Sequence, residues 1–160
     1  MELHTIAPFF NKNSKILILG SFPSVKSRQT GFYYGHPQNR MWQVLADVFS
    51  SPKPLTIEDK KAFLTKNKIA MWDVIASCDI VGSADSSIKN AVYNDLDVIF
   101  SSCDIKAVYT IGNLSHKLYN LSKEKNNYKL NATLLPSTSP ANAQKSVLDL
   151  IKAFSVLKNV

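Results

Sequence analysis

The stretch Lys15-Ile16-Leu17-Ile18-Leu19-Gly20 is a short apolar run that ends in glycine. A run of this length without polar alternation predicts a strand that is buried on both faces, as in a parallel sheet. Residues 21–38 follow as a long loop, and from Arg40 apolar residues such as Met41 and Leu45 recur at helical spacing. The chain therefore opens with a strand, a loop and a helix.

The same alternation of strands and helices continues along the chain. Further strands are predicted at residues 69–75, 105–111 and 129–135, and helices at residues 56–67, 95–100, 114–121 and 140–154. Parallel neighbours need crossover connections, which these helices supply. We expect a single domain over residues 1–160. Its predicted fold class is α/β, a three-layer α/β/α sandwich with a central, mainly parallel four-stranded sheet.

Two of the helix boundaries depend on particular residues. Asn94 is placed to cap the short helix that follows it. Pro140 is placed at the first position of the final helix, with Ala143 and Phe154 facing the core.

In open parallel sheets ligands bind beyond the carboxyl ends of the strands. The loops that follow the four strands should therefore meet at one edge and form the functional site.

The charge distribution favours a polyanionic partner. The chain carries 19 Lys and Arg against 12 Asp and Glu, a formal charge of +7 and a pI of about 9.4. No Asp or Glu lies between Leu3 and Ala46, a stretch that contains five basic residues. Nucleic acid is the leading candidate, because it would be steered to this region. An ordinary basic protein is the alternative.

Several other function classes are disfavoured. Cys78 and Cys103 are the only cysteines and the three histidines are scattered, so we expect no metal and no cofactor. No apolar run approaches the roughly 20 residues of a membrane span, and the N-terminus lacks the pattern of a signal peptide. We expect a cytoplasmic protein of the bacterial-type cytosol or nucleoid.

The first loop carries the most specific motif. It begins with Gly-Ser-Phe-Pro-Ser (residues 20–24) and continues with Gly-Phe-Tyr-Tyr-Gly-His-Pro-Gln-Asn-Arg-Met-Trp (residues 31–42). The loop lacks the further glycines of a dinucleotide fingerprint or a P-loop. It resembles the first motif of the uracil-DNA glycosylase superfamily. Together with Trp72-Asp73-Val74 and Gly-Ser-Ala-Asp-Ser (residues 82–86), it is most similar to the hypoxanthine-DNA (deoxyinosine) glycosylase branch.

The resemblance implies a DNA-repair enzyme that hydrolyses the N-glycosidic bond of a deaminated base, releasing hypoxanthine from deoxyinosine in double-stranded DNA. In many relatives the first turn carries an acid or amide that positions water, but Phe22 occupies that place here. The resemblance designates the amide of Asn39 as the catalytic group instead. On the residues alone, the favoured interpretation of Asn39 is a helix cap that contributes about 1 kcal/mol.

The remaining site residues also follow from the resemblance. The predicted base-binding residues are Gly20, Ser21, Phe22, Tyr34, Asp85 and Asn113. Tyr34 aligns with the aromatic residue on which the extruded base stacks. The predicted DNA-binding residues are Ser24, Lys26, His36, Arg40, Ser137, Ser139 and Asn142. The last three resemble the second motif of the superfamily, a Pro-Ser loop that would grip a phosphate at the N-terminus of the final helix.

Three alternatives stay open from sequence. The same fold can act on uracil or mismatched bases, because a few contacts decide selectivity. It can also be a catalytically silent nucleic-acid-binding module. Lys26 raises the possibility of Schiff-base lyase chemistry, but nothing in its surroundings predicts a desolvated amine. We expect a monofunctional, monomeric enzyme.

Overall fold

The computed structural model describes residues 1–160 and contains two sheets and six helices. In chain order the strands are β1 (Glu2–Leu3), β2 (Ile16–Gly20), β3 (Ile69–Asp73), β4 (Ile75–Asp79), β5 (Lys89–Tyr93), β6 (Ala107–Ile111) and β7 (Ala132–Leu135). The helices are α1 (Val25–Thr30), α2 (Met41–Val48), α3 (Ile57–Lys66), α4 (Asp97–Phe100), α5 (Asn113–Asn126) and α6 (Val147–Phe154). Short 3-10 turns lie at Asp85–Ser87 and Ser155–Asn159.

The central sheet confirms the predicted architecture. Its order is β3-β2-β6-β7, and every neighbouring pair is parallel. All five residues of β2 and of β3 are buried, as expected of strands covered on both faces. Helices flank the sheet in an α/β/α sandwich. The register pairs Gly20 with Asp73, so the ends of β2 and β3 lie side by side.

A second, antiparallel sheet was not predicted. It has the order β1-β4-β5. The predicted strand over residues 69–75 in fact ends at Asp73, and the chain continues after Val74 as β4. Half-exposed polar strands such as β5 lack the apolar run that marks a central strand. For this reason the sequence pattern did not reveal the second sheet.

The predicted start of the final helix is wrong. α6 begins at Val147, and Ser146 and Asp149 form a reciprocal capping box at its N-terminus. Pro140 lies in a loop, and Ala143 is exposed. The capping box satisfies two backbone donors at once, which a proline start does not. Phe154 faces the core as predicted.

Asn94 does not cap α4. Its side-chain amide donates to the carbonyl oxygens of Asp73 and Ile75, at 2.9 and 3.2 Å, and so holds the junction of β3 and β4. The carboxylate of Asp95 accepts from the backbone N–H of Asp97 instead. By contrast, the predicted helix at residue 56 is confirmed, because the Thr56 hydroxyl accepts from the N–H of Asp59.

The long loop at residues 21–38 is partly helical. It contains α1, which the hydroxyl of Ser24 caps by accepting from the N–H of Ser27. Further along the chain, Leu118 in α5 is buried, whereas Leu121 is 49% exposed. No helix combines the length and apolar character needed to cross a lipid bilayer.

Candidate active site

One large cleft of about 1100 Å³ opens at the carboxyl edge of the central sheet. All the predicted site residues line it except Lys26 and Arg40. We call the loops at residues 36–38 and 137–145 the rim, because most of their residues are exposed or half-exposed. We call Gly20, Ser21, Tyr34 and Asp73 the floor, because Gly20 is buried and the polar side-chain atoms of the other three are buried or nearly so.

Asn39 stands between the rim and the floor with a fixed orientation. Its Oδ1 accepts from the backbone N–H of Met41 at 2.9 Å and from the hydroxyl of Thr138 at 2.8 Å. The Met41 N–H can only donate, so Oδ1 and Nδ2 are assigned without ambiguity. Both lone pairs of Oδ1 are occupied. The part of Asn39 left for a ligand is therefore the Nδ2 donor.

Arg40 does not reach the cleft, and its side chain holds the rim together. The guanidinium donates to the carbonyl oxygens of Thr138 and Ser139 at 3.3 and 2.8 Å, and to that of Asn142 at 3.1 Å. It also donates to the carbonyl oxygen of Lys145. The fork of a guanidinium suits such multiple bonding. Because these bonds occupy four of its five N–H donors, the structure gives Arg40 a loop-bracing position, and the predicted phosphate contact stays a prediction.

The second rim loop lies in the cleft but not at a helix N-terminus. Ser137 and Ser139 precede α6 by several residues, so the predicted grip by the helix dipole is wrong. Their hydroxyl oxygens accept from the N–H groups of Ser139 and Ala141, both at 3.2 Å. Their hydroxyl protons remain available to donate. The Asn142 amide donates to the Ser137 carbonyl oxygen at 3.0 Å and shapes the same turn.

Three other predicted DNA contacts have different environments. His36 is exposed, and its Nδ1 accepts from the N–H of Gln38 at 3.1 Å, which leaves Nε2 as the donor of the neutral ring. Ser24 lines the cleft, but its hydroxyl both caps α1 and donates to the Ser27 hydroxyl. Lys26 is exposed and lies outside the cleft.

A buried carboxylate that was not among the predicted site residues lies in the floor. Asp73 ends β3, and its Oδ2 is 2.8 Å from Nε2 of His4. The two side chains are only 4% and 3% exposed. Oδ1 accepts no hydrogen bond from the protein and lies against Gly20, where an added β-carbon would approach it to 2.4 Å. One carboxylate oxygen is thus free toward the cleft.

Tyr34 places a second unpaired polar atom beside Gly20. Its hydroxyl is buried, makes no hydrogen bond, and lies 3.2 Å from the position of a Gly20 β-carbon. The backbone of Tyr34 has φ of 53°, which non-glycine residues seldom adopt and which is found often at functional sites. Burial, with the nearby Asp73 and Asp85 charges, raises the pKa of its phenol well above the usual value.

Asp85 closes the floor from the loop after β4. The residue is exposed, but its Oδ1 accepts from the Ser21 hydroxyl at 2.8 Å. Burial of the carboxyl and the charge of Asp73 raise its pKa, while the Ser21 bond acts in the opposite direction. Asp85 therefore lines the cleft as predicted, although it lies 64 residues from its hydrogen-bond partner Ser21 in the sequence.

Phe22 and Asn113 complete the predicted base-binding set. Phe22 is buried, with the Arg28 guanidinium 5.4 Å from its ring centre and the edge of the His4 ring against it. Asn113 is the exposed first residue of α5, and its side chain makes no hydrogen bond in the protein. Gly112 precedes it as the helix cap. The Asn113 amide is thus free in the cleft.

Sequence reasoning missed three residues of this site. Thr138 lay within the second motif, but its bond to Asn39 spans 99 residues. Asp73 lay within the Trp72-Asp73-Val74 motif, but its place beside Gly20 follows from the register of β2 with β3. His4 had no local signal, because its position depends on β1. No group of three or more His, Cys, Asp or Glu side chains could hold a metal ion.

The fold and the site define an α/β protein whose cleft, at the carboxyl edge of a parallel sheet, combines a hydroxyl-rich rim with a buried polar floor. The model of the uracil DNA glycosylase superfamily matches residues 7–158, and the chain belongs to this superfamily. The resemblance found in the sequence motifs is thereby confirmed.

Individual relatives are similar over shorter stretches. The chain is 31% identical over 100 residues to a hypoxanthine DNA glycosylase of Methanosarcina barkeri, covering 62% of this chain and 63% of that protein. It is 36% identical over 86 residues to a hypoxanthine DNA glycosylase of Methanosarcina acetivorans, covering 53% and 54%. The chain thus matches between about half and two thirds of the length of these relatives.

One solved structure is similar over nearly the whole chain. It is the solution NMR structure of a protein from Methanosarcina acetivorans that is provisionally described as a uracil DNA glycosylase. The TM-score is 0.75 at 27% sequence identity, and the alignment covers 96% of both chains. The likeness supports the same α/β fold for both proteins.

Proposed function

We propose that this protein is a monofunctional DNA glycosylase that hydrolyses the N-glycosidic bond of deoxyinosine and releases hypoxanthine. The observation that carries the proposal is the composition of the cleft. An amide donor, Asn39, lies between a hydroxyl-rich rim and a buried floor with two unpaired polar atoms. The names of the two Methanosarcina relatives support the same activity.

The floor suits a base that carries a ring N–H beside a keto oxygen. Hypoxanthine presents N1–H next to O6, whereas adenine presents an unprotonated N1 next to an amino group. Oδ1 of Asp73 accepts no bond from the protein and can accept N1–H. Against adenine the same oxygen would face a lone pair. A buried polar group left unpaired in this way gives strong discrimination.

Tyr34 supplies the aromatic surface on which we propose that the extruded base stacks. An extruded base loses its duplex neighbours and gains from an aromatic face. The Tyr34 hydroxyl has no partner and can also donate to a keto oxygen. Tyr34→Phe keeps the ring and removes the hydroxyl. If the variant releases hypoxanthine over adenine with unchanged preference, Tyr34 acts by stacking. If that preference is reduced, the Tyr34 hydroxyl contacts the edge of the base.

Bond cleavage requires little from the protein beyond positioning. The N9–C1′ bond breaks with its electron pair leaving on the purine, and the sugar becomes an oxocarbenium ion that DNA phosphates stabilise. A water oxygen then bonds to C1′ and loses a proton to solvent, and the purine anion takes up a proton from solvent to leave as neutral hypoxanthine. Because Oδ1 of Asn39 is fully occupied, we propose that Nδ2 holds this water by donating to its oxygen. Positioning of this kind lowers the entropic part of the barrier.

The substrate is proposed to be double-stranded DNA bound by a monomer. The acid-free N-terminal stretch and the net charge of +7 support a polyanionic ligand. The free hydroxyl protons of Ser137 and Ser139 and the Nε2 of His36 are suited to phosphate oxygens. A DNA-repair activity places the protein in the compartment of the DNA, which we propose to be a bacterial-type cytosol and nucleoid.

A lyase mechanism has no support in the cleft. Lys26 lies outside it, and Lys145 at the rim is exposed, so neither amine is desolvated in the way that Schiff-base lysines are. Borohydride should trap no covalent adduct between the protein and a deoxyinosine duplex. A trapped adduct would replace the monofunctional mechanism with a lyase.

The test is a panel of otherwise identical duplexes that contain deoxyinosine, deoxyuridine, deoxyxanthosine or deoxyadenosine at one position. We expect base release from deoxyinosine and none from deoxyadenosine. Uracil is the second candidate, because it also carries a ring N–H beside keto oxygens and the NMR relative is described as acting on it. Faster release of uracil than of hypoxanthine would favour that candidate. Binding without release from any duplex would leave a nucleic-acid-binding module.

A further inference from the structure

His4 enters the site from outside the matched part of the superfamily, which begins at residue 7. β1 pairs antiparallel with β4, with Leu3 opposite Ser77. The N–H of His4 extends this ladder by donating to the carbonyl oxygen of Ala76 at 2.8 Å. The backbone of His4 is therefore fixed by the small sheet.

The strand geometry turns the His4 side chain toward the floor. Side chains at alternate positions of a strand share a face. Glu2 and His4 share one face, and Leu3, on the other, is exposed. Glu2 pairs with the Arg28 guanidinium at 3.1 Å, and Arg28 in turn donates to the carbonyl oxygen of Gly82 in the loop that precedes Asp85. The N-terminal strand is thus attached to the cleft at two places, by Glu2 through Arg28 and by His4 at Asp73.

The His4 ring is held on several sides. Its Nε2 contacts Asp73, the edge of its ring meets Phe22 at a centroid distance of 5.9 Å, and Tyr33 lies 6.2 Å away. Asp73 is itself restrained, because Asn94 binds its backbone carbonyl oxygen. With both partners fixed, the 2.8 Å contact sets which carboxylate oxygen faces inward and which faces the cleft.

A carboxylate as buried as Asp73 needs a partner. Removing a charge from water without a hydrogen bond is costly, and a bond to a charged group is stronger than a neutral one. His4 supplies that bond to Oδ2 whether its ring is neutral, with the proton on Nε2, or charged. Oδ1, which bonds no group of the protein, is then the acceptor that Asp73 offers to a ligand.

We infer that His4 is a positioning residue of the base pocket: it holds Asp73 so that Oδ1 accepts the ring N–H of the extruded base. The inference rests on the proposed glycosylase function and deepens it. His4 touches no substrate itself. Its effect on base release passes through Asp73.

The experiment uses two neutral amide variants that differ by one methylene. In His4→Gln the side-chain nitrogen lies as many bonds from Cα as Nε2 does in histidine, so it can still reach Oδ2. In His4→Asn the nitrogen corresponds to Nδ1 and cannot. Leu3→Asn is the matched control at an exposed position of the same strand. The rate constant of single-turnover release from a deoxyinosine duplex and the Kd for that duplex are measured for each.

We expect His4→Asn to lower the rate constant by about tenfold or more and to leave the Kd within about twofold. His4→Gln should stay within about threefold of the unsubstituted protein, and Leu3→Asn should match it. If His4→Asn fails to fold, His4→Met fills similar space without a donor, and the same loss is expected. Melting temperatures identify any loss that comes from unfolding.

A double-mutant cycle tests whether the effect passes through Asp73. Asp73→Asn alone should lower release, and adding His4→Asn to it should lower release no further. Effects that multiply, or His4→Asn at the unsubstituted rate, would overturn the role of His4 while leaving the glycosylase function intact. Absence of release by the unsubstituted protein from every duplex would instead remove the proposed function and this role with it.

Discussion

The rim and the floor of the cleft are built from different kinds of contacts. The rim consists of two loops whose hydroxyls and amides shape their own turns and keep donors for a partner. The floor joins the neighbouring ends of β2 and β3 to Tyr34 of the first loop, and two of its polar atoms have no protein partner. The difference indicates a division of labour. We propose that the rim holds the DNA backbone, which is the same for every sequence, and that the floor distinguishes one base from another.

Among the changes to the floor and the rim, the largest expected effect is a loss of base release from filling the floor. In Gly20→Ala the new methyl would lie 2.4 Å from Oδ1 of Asp73 and 3.2 Å from the Tyr34 hydroxyl. Asp73 is short, buried and bonded to His4, so it cannot move away easily. Overpacking of this kind costs about 1–3 kcal/mol. We expect single-turnover release from deoxyinosine to fall by about 100-fold, with DNA affinity little changed.

Normal release by Gly20→Ala would contradict the assignment of base recognition to the floor. A parallel loss of DNA affinity would remove the distinction between floor and rim. Thermal unfolding of the variant shows whether the protein remains folded under the assay conditions.

A smaller effect is expected from Arg40→Lys, which keeps the positive charge but removes the guanidinium and its several N–H donors. The Arg40 guanidinium donates to the carbonyl oxygens of Thr138, Ser139, Asn142 and Lys145, and a lysine cannot bond to all four at once. We expect the free energy of unfolding to fall by about 2 kcal/mol, measured by urea denaturation. Release should also slow, because Thr138 holds both Arg40 and Asn39. If Arg40 instead bound a phosphate by charge, the variant would keep its stability.

The rim itself should affect binding and leave chemistry unchanged. We expect Ser137→Ala combined with Ser139→Ala to weaken the affinity for a deoxyinosine duplex by about fivefold, the effect of one or two lost hydrogen bonds. The rate constant at saturating protein should not change. Ser102→Ala, outside the cleft, serves as the control. A slower rate constant with unchanged affinity would place the two serines with the floor.

The smallest expected effect concerns Asp85 and pH. Because its pKa is raised in the folded protein, its contribution to stability is present below the unfolded pKa of about 4 and is lost as the pH rises through the folded value. The amide that replaces the carboxyl in Asp85→Asn carries no charge at any of these pH values. The melting temperature of this variant relative to the unsubstituted protein should therefore rise between about pH 3.5 and pH 7. The gain should stay under about 1 kcal/mol, since solvent reaches this residue.

A difference in melting temperature that is constant over this range would contradict the pKa shift. Ser21 can still donate to the amide oxygen of the variant, so the loop at residue 85 should keep its position.

The features that sequence could predict are those that depend on neighbouring residues. The run from Lys15 to Gly20 marked the central sheet, and the motif at residues 31–42 marked the rim. The start of α6 was predicted incorrectly because Pro140 is a common first helical residue, whereas the capping box of Ser146 and Asp149 determines the boundary.

The floor could be predicted only in part. Tyr34 and Gly20 came from the motif, but the contact between His4 and Asp73 joins residues 69 positions apart. It depends on a two-residue strand, β1, that has no recognisable pattern of its own. Contacts of this kind require the register of two sheets, which periodicity does not give.

The most direct test of the whole account is single-turnover release of hypoxanthine by Asn39→Ala. Asn120→Ala, an exposed amide on α5 outside the cleft, is the matched control. We predict that Asn39→Ala stays folded, binds a deoxyinosine duplex, and releases base at least about 100-fold more slowly than the control. Release at the control rate would show that the Asn39 amide only holds the Met41 N–H and the Thr138 hydroxyl, and would contradict its central place in the cleft.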